Sequence, residues 1–110
     1  MDQEYVIVLT TVGADVNSGA IAAALVDDRL AACVNVLPEM DSYFRWRGAV
    51  EQAQERQLLI KTTVARLPEL EERLKEVHPY ELPELLVLTV RQASEAYGRW
   101  ITDSTRTEDR

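Results

Sequence analysis

A chain of 110 residues, 46% apolar and 28% charged, has the size and composition of one globular domain, which excludes a two-domain enzyme and the compositions of disordered or collagen-like chains. Nineteen acidic residues against twelve basic ones leave a formal charge of −7, a field that repels phosphate backbones, so nucleic acid is not an expected partner. Ten of the basic residues are arginines and only Lys61 and Lys75 are lysines; there is neither a basic stripe for an anionic membrane nor an apolar run long enough to cross one.

The acidic opening Met1-Asp2-Gln3-Glu4 leads straight into Tyr5 to Thr11, a β-branched run apolar on both faces that reads as a central strand. Gly13 breaks it, and Asp15, Asn17 or Ser18 can cap a helix running to about Asp28, with Ile21 and Leu25 on its buried stripe. Leu30 to Leu37 reads as a second strand stopped by Pro38. Ser42 to Glu55 reads as a long hairpin turning at Gly48-Ala49, a Gly-first pair suited to a type II′ turn; this register sets Trp46 opposite Glu51 and Phe44 opposite Ala53, with Tyr43, Arg45 and Arg47 on the other face. Gln57 to Thr63 continues as a strand, Pro68 opens a second helix with Leu67, Leu70, Leu74 and Val77 on one stripe, and Pro79 stops it. Leu85 to Arg91 reads as the last strand. Ser94 then caps a short helix expected to bury Tyr97, Trp100 and Ile101. The order is β-α-β-β-α-β plus a helix: an α+β, ferredoxin-like split β-α-β fold in one domain over 1–102, with a polar tail over 103–110.

Chemistry concentrates in His78-Pro79-Tyr80-Glu81-Leu82-Pro83-Glu84, where two prolines stiffen a loop carrying an imidazole, a phenol and two carboxylates. His78 with Glu81 or Glu84 offers nitrogen and oxygen ligands to a divalent transition metal; the alternative is a helix stop in which His78 caps the C-terminus. Cys33, alone in the sequence, cannot form an internal disulfide and reads as a small buried hydrophobe near a subunit boundary rather than a nucleophile, so no thiol enzyme is expected and the cytoplasm is the expected compartment. The hairpin aromatics Tyr43, Phe44 and Trp46 exceed what a two-stranded ribbon can cover, which points to a second subunit. Lys61 can hold an anion or a carboxylate beside Glu55, or simply end a solvated strand.

Arg29-Leu30-Ala31-Ala32-Cys33-Val34-Asn35, the hairpin pattern Tyr43…Trp46-Arg47-Gly48…Glu51…Glu55, Ile60-Lys61-Thr62, His78-Pro79-Tyr80-Glu81…Pro83-Glu84 and Tyr97…Trp100-Ile101 together resemble the CutA family of divalent-cation tolerance proteins, from Tyr5 to Ile101. The resemblance implies a ferredoxin-like homotrimer, built like PII-type signalling trimers, whose hairpins pair with neighbouring subunits, and it implies no established catalytic activity, so no enzyme is expected. It implies a role in tolerance of divalent metal ions, copper especially, and an inter-subunit ligand cleft near Cys33, Trp46, Glu55, Lys61, His78 and Tyr80. Some members have a cysteine near the end of the first strand and paired histidines before the Pro-Tyr. This chain has Thr10 or Thr11 and Val77 there, leaving His78 with Glu81 and Glu84, a mixed set that favours divalent copper or zinc. Beside the metal-responsive trimer stand two alternatives: a PII-like sensor of a small anion and a ligand-free interaction scaffold.

Overall fold

The computed structural model describes residues 4–107. Along the chain lie β1 (Tyr5–Gly13), α1 (Ser18–Asp27), β2 (Cys33–Val36), β3 (Met40–Trp46), β4 (Ala49–Thr63), a 3-10 turn (Val64–Arg66), α2 (Leu67–Val77), β5 (Leu86–Thr89) and α3 (Glu95–Thr105). The strands form one antiparallel sheet in the order β2-β4-β1-β5, with β3 also paired to β4. This is the expected ferredoxin-like order. The opening residues 1–3 and the last three of the polar tail lie outside the described residues.

Alternation along β1 and β4 decides the two sides of the sheet. Val6, Val8, Val12, Leu58 and Ile60 point one way and pack with Leu25 of α1 and Leu70 and Leu74 of α2 into a single core cluster. Asn17 is the residue that caps α1, its Oδ1 accepting from the Ala20 N–H at 3.1 Å. Thr10 shares the core side, and its Oγ1 is the one buried side-chain polar atom without a hydrogen bond among the described residues. An unpaired hydroxyl in an apolar core costs free energy, so Thr10→Val, which keeps the shape, is expected to raise stability by about 1 kcal/mol in denaturant titration. A fall would show that the hydroxyl has a partner.

Several expected boundaries shift, each for a local reason. β1 runs on through Gly13, which pairs with Glu55. β2 begins only at Cys33, because Arg29 turns at φ 60° and the N–H groups of Leu30 and Ala31 both return to the Leu25 carbonyl. Leu30, Ala31 and Ala32 are therefore buried in a helix-terminating turn. The hairpin turns at Arg47-Gly48, one residue earlier than the Gly-first reading. Both residues have positive φ, 51° and 84°, the type I′ geometry that fits strand twist. Trp46 accordingly faces Ala49 and Phe44 faces Glu51, and Arg47 belongs to the turn rather than to the strand face. β5 keeps only Leu86–Thr89 of the longer run. In α3 the expected capping by Ser94 holds (Oγ accepting from Tyr97 N–H, 3.2 Å), but Tyr97 and Trp100 are 42% and 45% exposed while Gly98, Ile101 and Thr105 are buried. The helix docks through Gly98, where an added Cβ would sit 2.7 Å from the Tyr5 hydroxyl. With Gly98 facing Tyr5 the two aromatic rings turn outward, and the helix runs on to Thr105.

β2 and β3 lie consecutively along one edge of β4. Between the Val36–Leu58 and Met40–Glu55 pairs, residues 37–39 face only 56 and 57, a bulge centred on Pro38. β1 covers the other edge of β4 as far as Glu55, so the hairpin beyond is a two-stranded ribbon. It stretches the molecule to 47 × 27 × 23 Å and its radius of gyration to 14.9 Å, against roughly 13 Å for a compact chain of this length. On the sheet side opposite the core, Leu9 pairs with Leu86 and Ile7 with Leu88. These two β5 leucines are 54% and 48% exposed; on this side α3 packs at the Tyr5 end, and Tyr80 and Glu84 reach Glu55 and Gln57 at the other.

Candidate functional site

The proline-braced loop after α2 folds over the far end of β1. His78 terminates α2, its backbone N–H still bonding the Leu74 carbonyl while ψ swings to 129°. The ring is 8% exposed. Its Nε2–H donates to the Thr11 carbonyl at 2.6 Å, and Nδ1 accepts from the Tyr80 N–H at 3.2 Å. A carbonyl can only accept and an amide N–H can only donate, so the two bonds select the Nε2–H tautomer and occupy both nitrogens.

Tyr80 stacks at a tilt on His78, ring centroids 4.9 Å apart, and its hydroxyl donates to Glu55 Oε2 at 2.6 Å. Glu55 is 6% exposed. Burial pushes the Tyr80 phenol up to about 12, helped by the hydrogen bond to Glu55 and by the negative charges of Glu55 and Asp15. Because that lies above the ordinary phenol value of 10.0, the stabilisation from keeping Tyr80 neutral is complete below pH 10 and is lost as pH rises through 12. A spectroscopic titration of the phenolate band should therefore show a tyrosine ionising late, and Tyr80→Phe should delete that phase. Survival of the late phase in the variant would place it elsewhere.

Two further ties hold the loop. Gln57 Nε2 donates to the Thr10 carbonyl at 2.9 Å and to Glu84 Oε2 at 3.2 Å, and Arg47 Nη2 pairs with Glu81 Oε1 at 3.0 Å while its guanidinium lies 5.2 Å from the Trp46 ring centre. Between hairpin and loop runs an open groove of about 1010 Å³, bringing together Trp46, Glu55, Tyr80, Glu81 and Glu84. His78 lies beneath it, turned toward backbone. Cys33 and Lys61 are elsewhere: they face each other across β2 and β4, six residues along β4 from Glu55, roughly 20 Å at strand rise. Cys33 is half-buried, its Sγ 3.8 Å from Asn35 Oδ1. Lys61 therefore does not sit beside Glu55. Gln57 escapes the sequence reading because nothing marks a strand glutamine as the tie between β1 and Glu84. Arg47 escapes because the expected turn put it on the strand face.

A metal site needs several converging donors, and among the described residues no three His, Cys, Asp or Glu side chains converge so. With both nitrogens of His78 engaged, the residues present do not form a preformed metal centre. The groove's carboxylates, Glu51, Glu55, Glu81 and Glu84, face one cation within its lining, Arg45, a balance that disfavours a small anion.

A family model described as CutA1 divalent ion tolerance protein matches residues 6–104. The chain belongs to this family. The divalent-cation tolerance protein CutA of Thermus thermophilus is 43% identical over 99 residues, 90% of this chain and 96% of that one. The fold of CutA from Synechococcus elongatus superposes with a TM-score of 0.88 at 41% identity, covering 94% of this chain and 91% of that one, and CutA1 from Oryza sativa with 0.90 at 32%, covering 96% of each. This chain carries a long hairpin and a His-Pro-Tyr-Glu loop. It places Thr10 and Thr11 at the end of the first strand and a lone His78 before the proline.

Proposed function

We propose that this CutA1-family chain works as a cytoplasmic, non-enzymatic homotrimer whose part in divalent-ion tolerance rests on assembly and on weak binding of divalent cations, copper or zinc, at the groove carboxylates. The observation that carries it is the exposed apolar surface: Leu86 and Leu88 stand half-exposed beside Ile7 and Leu9, and Tyr43 and Phe44 are exposed on the hairpin. A soluble domain leaves such a surface for a partner, and identical copies arranged around a three-fold axis cover it in a closed assembly. The single unpaired cysteine suits a reducing compartment. Weak cation binding follows from the loop: a metal reaches His78 Nδ1 only by displacing the Tyr80 N–H, which leaves Glu81 and Glu84 as the accessible oxygen donors.

Light scattering on a sizing column is expected to give about three times the 12.5 kDa chain mass, and calorimetry with divalent copper or zinc to saturate only near millimolar concentrations. A monomer at micromolar concentration would overturn the assembly. Submicromolar copper affinity abolished by His78→Ala would restore the imidazole as a ligand.

A further inference from the structure

We propose that a second cavity, at the opposite end of β4 from the hairpin, binds a small oxyanion of the carboxylate or phosphate class. It measures about 340 Å³ and lies between the strand end, the 3-10 turn and the C-terminal half of α3, within the range of small-ligand sites. Thr63, Thr102 and Thr105 contribute its hydroxyl-bearing wall and Arg66 and Arg106 its charge, and no carboxylate is among its described lining residues. Both arginines pair with carboxylates outside the lining, Glu69 and Asp103, so what the cavity offers an anion is their remaining N–H groups.

Two features make it more than a basic dent. Thr63 is 2% exposed, yet its side chain caps no helix N–H and takes no other hydrogen bond among the described residues. Its Oγ1 is not among the fully enclosed unpaired atoms, so the hydroxyl is reached from the cavity that Thr63 lines and can donate to a ligand there. Arg66 is already held in place: its side chain is 11% exposed, its Nε donates to the Arg29 carbonyl at 3.1 Å, and its Nη1 to Glu69. Nη2 keeps its donors, and an immobilised guanidinium gives up little further entropy on binding. Arg106, paired with Asp103 on the exposed side, can turn its remaining N–H groups to the same ligand. Planar forks of this kind match the oxygens of carboxylates and phosphates. The site shares no lining residue with the groove.

The test is calorimetry and thermal shift of the full chain with inorganic phosphate, with acetate as a second arm and chloride at equal ionic strength as the blank. Saturable binding of one anion per chain is expected with at least one arm, and which arm responds tells phosphate from carboxylate. Thr63→Val, which removes the hydroxyl at constant volume, and Arg106→Gln, on the surface, should each weaken it about tenfold or more. Lys75→Gln, which removes the same unit of charge far from the cavity, should leave it within twofold. No saturable signal from either anion, or affinity that survives both cavity substitutions, would overturn the proposal.

Discussion

Leu88→Asp is expected to convert the proposed trimer into single chains near 12.5 kDa. The residue sits on β5 opposite Ile7, on the apolar side of the sheet that lacks helix cover over most of its length. A carboxylate there costs the isolated subunit far less than the assembly, because the position is 48% exposed. Burying it against a neighbouring copy would cost on the order of 3 kcal/mol per contact, more than a hundredfold in association. Cys33 lies on the same side of the sheet, opposite Lys61, so its reaction with a thiol reagent should quicken in the variant. An unchanged mass would show that assembly, if any, uses another surface.

The second large effect belongs to His78→Ala. The substitution leaves the Thr11 carbonyl and the Tyr80 N–H without their partners and empties a ring-sized space beneath the loop. Together these should cost about 3 kcal/mol in chemical denaturation. The readout that separates positioning from packing alone is Tyr80: with its backbone tie gone, the phenol should drift from Glu55 and titrate nearer its ordinary value, from about 12 toward 10.0. Wild-type stability together with an unmoved phenol would mean that the two prolines alone hold the loop.

Most of the architecture is legible in the residues because local signals agree: Gly and Pro stops, 3.6-residue stripes over α2 and the β-branched first strand all point to one order of elements. The misplacements are places where a tertiary contact or a backbone angle outranks local pattern. Arg29 and Arg47 adopt positive φ, which arginine rarely does and which no hydrophobic period announces. With Gly98 facing Tyr5, Tyr97 and Trp100 turn outward. At the site, the loop's residues were visible as a cluster, and Trp46, Glu55, Tyr80, Glu81 and Glu84 do meet at one groove. The binding of His78 to the backbone of β1, 67 residues away, is not visible, because it depends on where the end of a distant strand comes to rest. Cys33 and Lys61 share a different stretch of β4 for the same reason.

β4 lives in two mechanical environments. From Leu58 to Lys61 it is laced on both edges, by β1 and by β2; from Ala49 to Ala53 only β3 holds it. Amide protons in the doubly laced stretch are released only when the whole domain opens, whereas those of the ribbon are freed by unzipping from the Arg47-Gly48 tip. The strand is thus a fixed beam at one end and a hinged flap at the other. The aromatic residues near the tip can rearrange on a partner without any disturbance of the core that carries them.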